Sequence, residues 1–273
     1  MCEELEISRD SYYKWLKTKD LPDKYLEYRE QFYKEVLNIY NKSNKTAGYR
    51  QIRDQINAKG KVYLSEYMTY IIKCKDLQLP EIRKKRRNIG KYRVKESINE
   101  ETFRYDNIAE NIEINDINQV LTTDTTEYKL ETDGKQNISF IADAYSGEIL
   151  VGTIGKSLNS KFISYNLELL QSINYSLDSI VIHSDRGGMY KSGIYHTKTA
   201  DFNLIPSMSA PFTYTHNPWI ETINGQFKDF IKCNIPKTLN ELQIALDQFV
   251  YYNNNIKIKR KLKMTPIEYR CHS

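Results

Sequence analysis

The sequence predicts an α/β fold, a mixed five-stranded sheet flanked by helices and preceded by a small all-helical domain. Three observations predict it. Over the first 80 residues apolar side chains recur at helical spacing, and from residue 118 the pattern changes to short strand-like runs parted by turn pairs. Third, the acidic residues Asp124, Asp185 and Glu221 fall at the edges of those runs, with 35 residues between the last two. At 273 residues the chain suits one large domain or two ordinary ones, and a hydrophobic content of 40% is enough for a packed core.

In the helical part, Leu5, Ile7, Tyr12, Tyr13, Trp15 and Leu16 form an apolar set, with Ser8 as an N-cap. A helix holding Arg9, Lys14 and Lys17 would be the tail of a helix-turn-helix, the kind of unit that sends one helix into the major groove. A long helix is expected over 24–40. After a loop at 41–47 come helices over 49–58 and 65–75, the second with Tyr67, Met68, Ile71 and Ile72 on one face. Residues 1–81 are read as this helical, DNA-binding domain.

Charge divides the chain unevenly. Residues 1–97 carry 23 Lys and Arg against 14 Asp and Glu, and the remainder carries 17 against 21. The densest stretch, 83–95, holds eight basic residues and no acid, among them Arg83, Lys84, Lys85, Arg86 and Arg87. Such a block either attracts phosphates by displacing condensed counterions or serves as a solvated linker. With little periodicity around it, 82–113 reads as a basic linker.

The strands follow. Val120–Tyr128, 137–142 and 148–154 are joined by segments carrying Asp133-Gly134 and Ser146-Gly147, both good turn signals. A helix fits 160–173, a fourth strand 180–183 and a short fifth 202–206, and Asn217-Pro218 starts a helix that carries Glu221. Three meandering strands, a helix, a strand, a helix and a strand is the order of an RNase H-like sheet, assigned here to 114–273. In that order the first and fourth strands are neighbours, so Asp124 and Asp185 would meet.

Two strand carboxylates and one helix carboxylate suit a pair of hard divalent cations, Mg²⁺ or Mn²⁺, and no His/Cys set offers the softer ligands of zinc. Asp124 would bridge both ions, Asp185 hold one and Glu221 the other. Lys228, two helical turns after Glu221, would hold a DNA phosphate or stand as a solvated lysine. Asn217 would contact DNA or simply cap its helix. His183 would sit close to the site or stand as a satisfied core histidine, Arg50 would contact DNA or pair with acids on neighbouring helices, and Trp219 and Ile220 would pack the helix rather than touch a base. The four cysteines are scattered without a CxxC pair, which points to free thiols in a reducing compartment. With no signal-peptide pattern and no apolar run of membrane length, a cytoplasmic protein is expected.

Several of these segments, in order, resemble the second-reading-frame product of bacterial insertion-sequence transposases of the IS-three kind, with its retroviral-integrase-like core. The segments are Thr123-Asp124-Thr125-Thr126, Asp143-Ala144-Tyr145-Ser146, His183-Ser184-Asp185-Arg186-Gly187, Ser207-Met208-Ser209, then Asn217, Glu221, Phe227 and Lys228, and Thr265-Pro266 with Glu268-Tyr269-Arg270. Upstream, Gly48-Tyr49-Arg50 resembles the helical domain that precedes such a core. After Ser209 the family has a basic, glycine-containing loop, where this chain has Ala210 to His216. The resemblance implies metal-dependent cleavage and strand transfer at element ends through Asp124, Asp185 and Glu221. It also implies DNA partners (ends and target), a homo-oligomer on that DNA, an N-terminal partner segment from an upstream reading frame, and a place at the bacterial nucleoid. Two alternatives stay open: a decayed transposase that only binds DNA, and an RNase H-like nuclease.

Overall fold

A computed structural model describes residues 8–19, 23, 25–60, 63–80, 103–173, 178–209 and 217–272. The basic run Arg83 to Arg87 and the 210–216 loop lie outside the described residues.

The N-terminal region is all helical. Helix α1 (Arg9–Thr18) starts as expected at Ser8, whose hydroxyl accepts the Ser11 N–H at 3.1 Å. Its apolar set is not a packed face: Tyr13, Trp15 and Leu16 are exposed, and Leu5 and Ile7 lie outside the described residues. The expected helix over 24–40 is two, α2 (Leu26–Glu30) and α3 (Tyr33–Lys42). The chain tightens between them, with Phe32 N–H bonding Arg29 O three residues back. Hydrophobic spacing carries no sign of this break, which coincides with a charge: Arg29 is buried between Asp23 at 2.7 Å and Asp76 at 2.6 Å. Helices α4 (Tyr49–Ala58) and α5 (Glu66–Tyr70) follow, α5 running on into a π-helical turn at Ile71–Asp76. Phe32, Val36, Ile39, Ile52, Ile56 and Ile72 form the core of this unit.

The sheet has the order β3-β2-β1-β4-β5. Strands β1 (Val120–Lys129), β2 (Lys135–Asp143) and β3 (Ile149–Gly155) form the antiparallel meander. Helix α6 (Ser160–Ser172) then carries the chain to β4 (Val181–Ser184), which pairs parallel with β1. Helix α7 (Gly193–Asp201) leads to β5 (Ile205–Met208), parallel to β4. The fifth strand starts three residues later than expected because Phe202 still closes α7. Pro206, which has no N–H to give a ladder, fits this edge position.

Strand alternation sorts the core into two layers. Ile138, Phe140 and Ala142 face α8 (Pro218–Phe230) and α9 (Leu239–Tyr251), where Phe140, Phe227, Phe230 and Phe249 meet edge to face or tilted at 5.3–6.0 Å. Leu121, Ile141, Val151 and Ile182 face α6 and α7 on the other side. The segment expected as a linker over 82–113 divides. Residues 81–102 lie outside the described residues, whereas from Phe103 the chain runs along the β5 edge, Asp106 O accepting the Met208 N–H at 3.2 Å and Ser207 Oγ the Ala109 N–H at 3.2 Å. An otherwise open sheet edge is thereby covered. A last helix, α10 (Pro266–His272), closes the chain. Among the described residues no helix is long and apolar enough to cross a membrane.

Polar contacts join the helical region to the sheet domain. Asn44 Nδ2 donates to Phe230 O, Gln51 Nε2 to the Tyr252 hydroxyl, and Arg260 Nε to Asp54 Oδ2 at 2.8 Å.

Candidate active site

Asp124 sits near the middle of β1, the central strand, opposite Phe140 of β2, and is half-buried. Its Oδ1 accepts the Thr125 N–H at 2.7 Å and its Oδ2 the Asn224 amide at 2.8 Å. Burial raises its pKa from the usual carboxylate range to about 7; the charge of Asp185 adds to the rise and that of Glu221 adds further. Asp185 follows β4, one strand over. Loss of hydration raises its pKa too, opposed by the Gly187 N–H, which donates to its Oδ1 at 2.8 Å, and by Lys191, although solvent reaches one side of the residue. Glu221, exposed in the first turn of α8, lies where a helix N-terminus favours negative charge.

Asp124 on β1 therefore feels the charges of Asp185, past the end of β4, and of Glu221 on α8. The three acids do not close into a finished ligand shell: among the described residues no group of three or more His, Cys, Asp or Glu stands ready around one ion. The donor set still fits a hard cation, because it consists of carboxylate oxygens whose mutual repulsion such an ion would relieve.

The His183–Gly187 segment explains itself locally. His183 is fully buried, with Nδ1 3.0 Å from Ser207 Oγ and Nε2 3.2 Å from Ser209 Oγ, so it is a satisfied core histidine. Arg186 Nε donates to Ser209 O at 2.7 Å, and Ser209 N–H to Ser184 O at 3.0 Å. The stretch that bears Asp185 is thus tied to the end of β5. At Gly187 a Cβ would stand 2.6 Å from Met189 Sδ and 2.9 Å from Asp185 Oδ1, so a side chain there would push the carboxylate aside.

Other expected residues fall as follows. Lys228 is half-buried on α8, two turns past Glu221. Asn217 holds the N-cap position without capping. Its side chain is buried and donates through Nδ2 to Thr123 O at 3.3 Å, tying α8 to β1, and its Oδ1 finds no partner among the described residues. Arg50 pairs with Glu66 at 2.5 Å. Ile220 is fully buried, and Trp219 packs on the small cluster of Ala109, Val120, Ala144 and Val181.

Sequence reasoning missed Asn224 and Arg186. The available signal for Asn224 was its place three residues after Glu221, on the same helix face. It holds Asp124 from α8, which makes it a positioning residue. Asn224→Leu is expected to keep the fold and cost at least about tenfold in turnover, since a charge-assisted hydrogen bond worth roughly 1.5–3 kcal/mol is lost. Single-turnover kinetics beside a thermal melt would test this; an unchanged rate would remove Asn224 from the site.

No family model matches the chain. It is similar to the candidate transposase InsK for insertion sequence element IS150 of Escherichia coli (strain K12), 24% identical over 97% of this chain and 90% of that protein. It is 26% identical to the candidate transposase for insertion sequence element IS1353 of Shigella flexneri over 97% of its own length, and spans 50% of that longer relative. Transposase InsF for insertion sequence IS3fB of Escherichia coli (strain K12) matches 84% of this chain and 77% of its own length at 21% identity. Among solved structures, the HTLV-2 integrase catalytic core domain in complex with magnesium aligns at 18% identity and a TM-score of 0.43, over 56% of this chain and 95% of that one.

Proposed function

We propose, from the likeness to insertion-sequence transposases such as those of IS150, IS1353 and IS3fB, that this chain is a transposase of the IS3 kind and cuts and joins DNA by metal-dependent attack on phosphodiesters, with Asp124, Asp185 and Glu221 as its acidic triad. The observation that carries the reading is electrostatic. Burial first, then the charges of Asp185 and Glu221, push the Asp124 carboxyl up, which supports a reading in which acids from three elements distant in sequence act together. Perturbed acids gathered in this way mark functional sites more often than structural ones.

Asp124, Asp185 and Glu221 would hold Mg²⁺ or Mn²⁺, which when bound would activate an attacking oxygen and offset charge on the leaving one. The protein supplies the rest. β1 fixes Asp124 against rotation, and Asn224 and the Thr125 N–H fix its two oxygens. The Gly187 N–H holds one oxygen of Asp185, Oδ1. Glu221 approaches from the solvent side, on a helix that Asn217 ties to β1. Lys228 would steady a phosphate on the same helix.

The test is Mn²⁺-dependent nicking and strand transfer on labelled DNA from the gene's own flanks, with Glu221→Gln in parallel. Joined products from the wild type and a loss of at least about a thousandfold in the variant, with DNA binding retained, are expected. Binding by both proteins with products from neither would leave a DNA-binding protein without catalysis. Cutting of any hybrid or junction without preference for the ends would leave a nuclease.

A further inference from the structure

Between the helical region and the sheet domain lies an open cleft of about 680 Å³. One wall is the α8 face of Pro218, Trp219 and Thr222, on the helix that carries Glu221, and the opposite wall is α4. The floor is the stretch after α9, residues 257–262, with the β2–β3 turn beside it. Its charge is one-sided: Arg50, Lys257, Lys259, Arg260 and Lys261 line it, and Asp54 is the lone acid among the lining residues. Asp54 is already engaged by Arg53 at 2.5 Å and Arg260 at 2.8 Å, and Arg50 by Glu66.

Lys259 and Lys261 are held differently from these arginines. Lys259 Nζ donates to two neutral oxygens, Asn253 Oδ1 at 2.9 Å and Gly147 O at 3.2 Å, and burial lowers its pKa to about 8. The Lys261 ammonium stands 3.7 Å from the centroid of the Tyr145 ring. Lys257 donates to Gln226 Oε1 at 2.5 Å. An ammonium stripped of water and held by neutral dipoles, as Lys259 is, is short of counter-charge, and an arriving anion supplies it. Cations repeated at every second residue along the floor, at 257, 259 and 261, suit a repeating polyanion better than a single carboxylate.

We propose that this cleft seats the phosphate backbone of DNA, through Lys257, Lys259 and Lys261, alongside the helix that bears Glu221. The proposal rests on the reading of the chain as a DNA-cutting enzyme and adds to it a second binding surface, apart from the triad, Lys228 and the basic run at 83–87. DNA held there passes along the outer face of α8, so the cleft would fix the direction in which a strand leaves the carboxylates.

The test uses the full chain. Lys257→Gln/Lys261→Gln spares half-buried Lys259, whose ammonium also holds Asn253 and Gly147, and is checked for an unchanged melt. Binding to a labelled duplex is measured across about 50–200 mM salt. The slope of log affinity against log salt is expected to fall by roughly two, one for each phosphate no longer neutralised, with at least about tenfold weaker binding at the upper salt. Lys156→Gln/Lys161→Gln, at the entry to α6, should keep the wild-type slope. The chain's two tryptophans are Trp15 and Trp219, so in a Trp15→Phe background DNA should change the emission of Trp219 alone. An unchanged slope with silent Trp219 emission overturns the seat and leaves Mn²⁺-dependent cutting by the wild type standing. Polyglutamate displacing DNA from the cleft at equal charge also overturns it, in favour of an acidic protein partner. A wild type that neither binds nor cuts its flanking DNA fails the underlying reading instead.

Discussion

Asp124→Asn is expected to make the protein more heat-resistant and inert at once. Asp124 has its pKa raised to about 7 by burial, then by Asp185 and Glu221. A carboxyl whose pKa is higher folded than unfolded binds its proton more tightly in the native state. The native state is therefore favoured below about pH 4 and loses that advantage as pH rises through about 7. At pH 8 the metal-free protein bears the whole cost, on the order of 2 kcal/mol for this half-buried group. An asparagine does not. Its amide is also accommodated: Asn224 Oδ1 is buried and has no partner among the described residues, so a flip of Asn224 lets it accept from the new side chain. The melting temperature at pH 8 should rise by about 4–8 °C, with little gain at pH 4. Mn²⁺ should stabilise the wild type and not the variant, because binding to the native state alone raises stability by mass action. Cutting should disappear. A variant that melts lower than wild type at pH 8, or that gains as much from Mn²⁺, would separate the triad from metal binding.

That trade between stability and chemistry was only partly legible in the sequence. The order of strands and helices was legible, because each run kept one period and was bounded by its own turn signals. From that order alone β1 and β4 become neighbours, so the meeting of Asp124 and Asp185 needs no side-chain detail. Asn224 was not legible: its partner is 100 residues away, and an asparagine in a helix carries no local mark of what it reaches. The same holds for Arg186, whose acceptor is a backbone oxygen at the end of another strand. Asn217 shows the opposite failure. A local rule made it a cap, and the tertiary fold directs its amide to β1 instead. Likewise, 24–40 keeps helical spacing across the point where buried Arg29 meets two aspartates, and periodicity has no term for charge. The apolar set on α1 carries the spacing of a packed face, yet Trp15 remains 57% exposed. Spacing records which residues share a face and leaves unsaid what covers it.

Arg270→Ala should be among the most destabilising single changes outside the aromatic core. The Arg270 side chain is 9% exposed and its partner Glu148 4%. Nε donates to Glu148 Oε2 at 2.5 Å and Nη1 to Asn118 Oδ1 at 2.9 Å. Glu148 nonetheless has its pKa raised, because the loss of hydration outweighs the help of the guanidinium. The pair is thus a poor source of net stability but costly to break, since removing the arginine leaves an uncompensated buried carboxylate. Such a break costs about 3–5 kcal/mol, enough to lower the melting temperature by about 6–20 °C in a domain of this size. The double variant Glu148→Gln/Arg270→Met should recover most of the loss, because two neutral side chains of similar volume need no charge partner. Arg50→Ala, which breaks a solvent-exposed pair with Glu66, should scarcely move the melt. The contrast assigns a purpose to the Thr265–Arg270 segment. Thr265 and Glu268 cap α10 reciprocally, the Glu268 N–H donating to Thr265 Oγ1 at 3.2 Å and the Thr265 N–H to Glu268 Oε2 at 2.8 Å. Arg270 then pins that helix to the turn before β3. Cutting per folded molecule, measured well below the melt, should be the same in Arg270→Ala as in wild type; a loss there would move this segment from support into the chemistry.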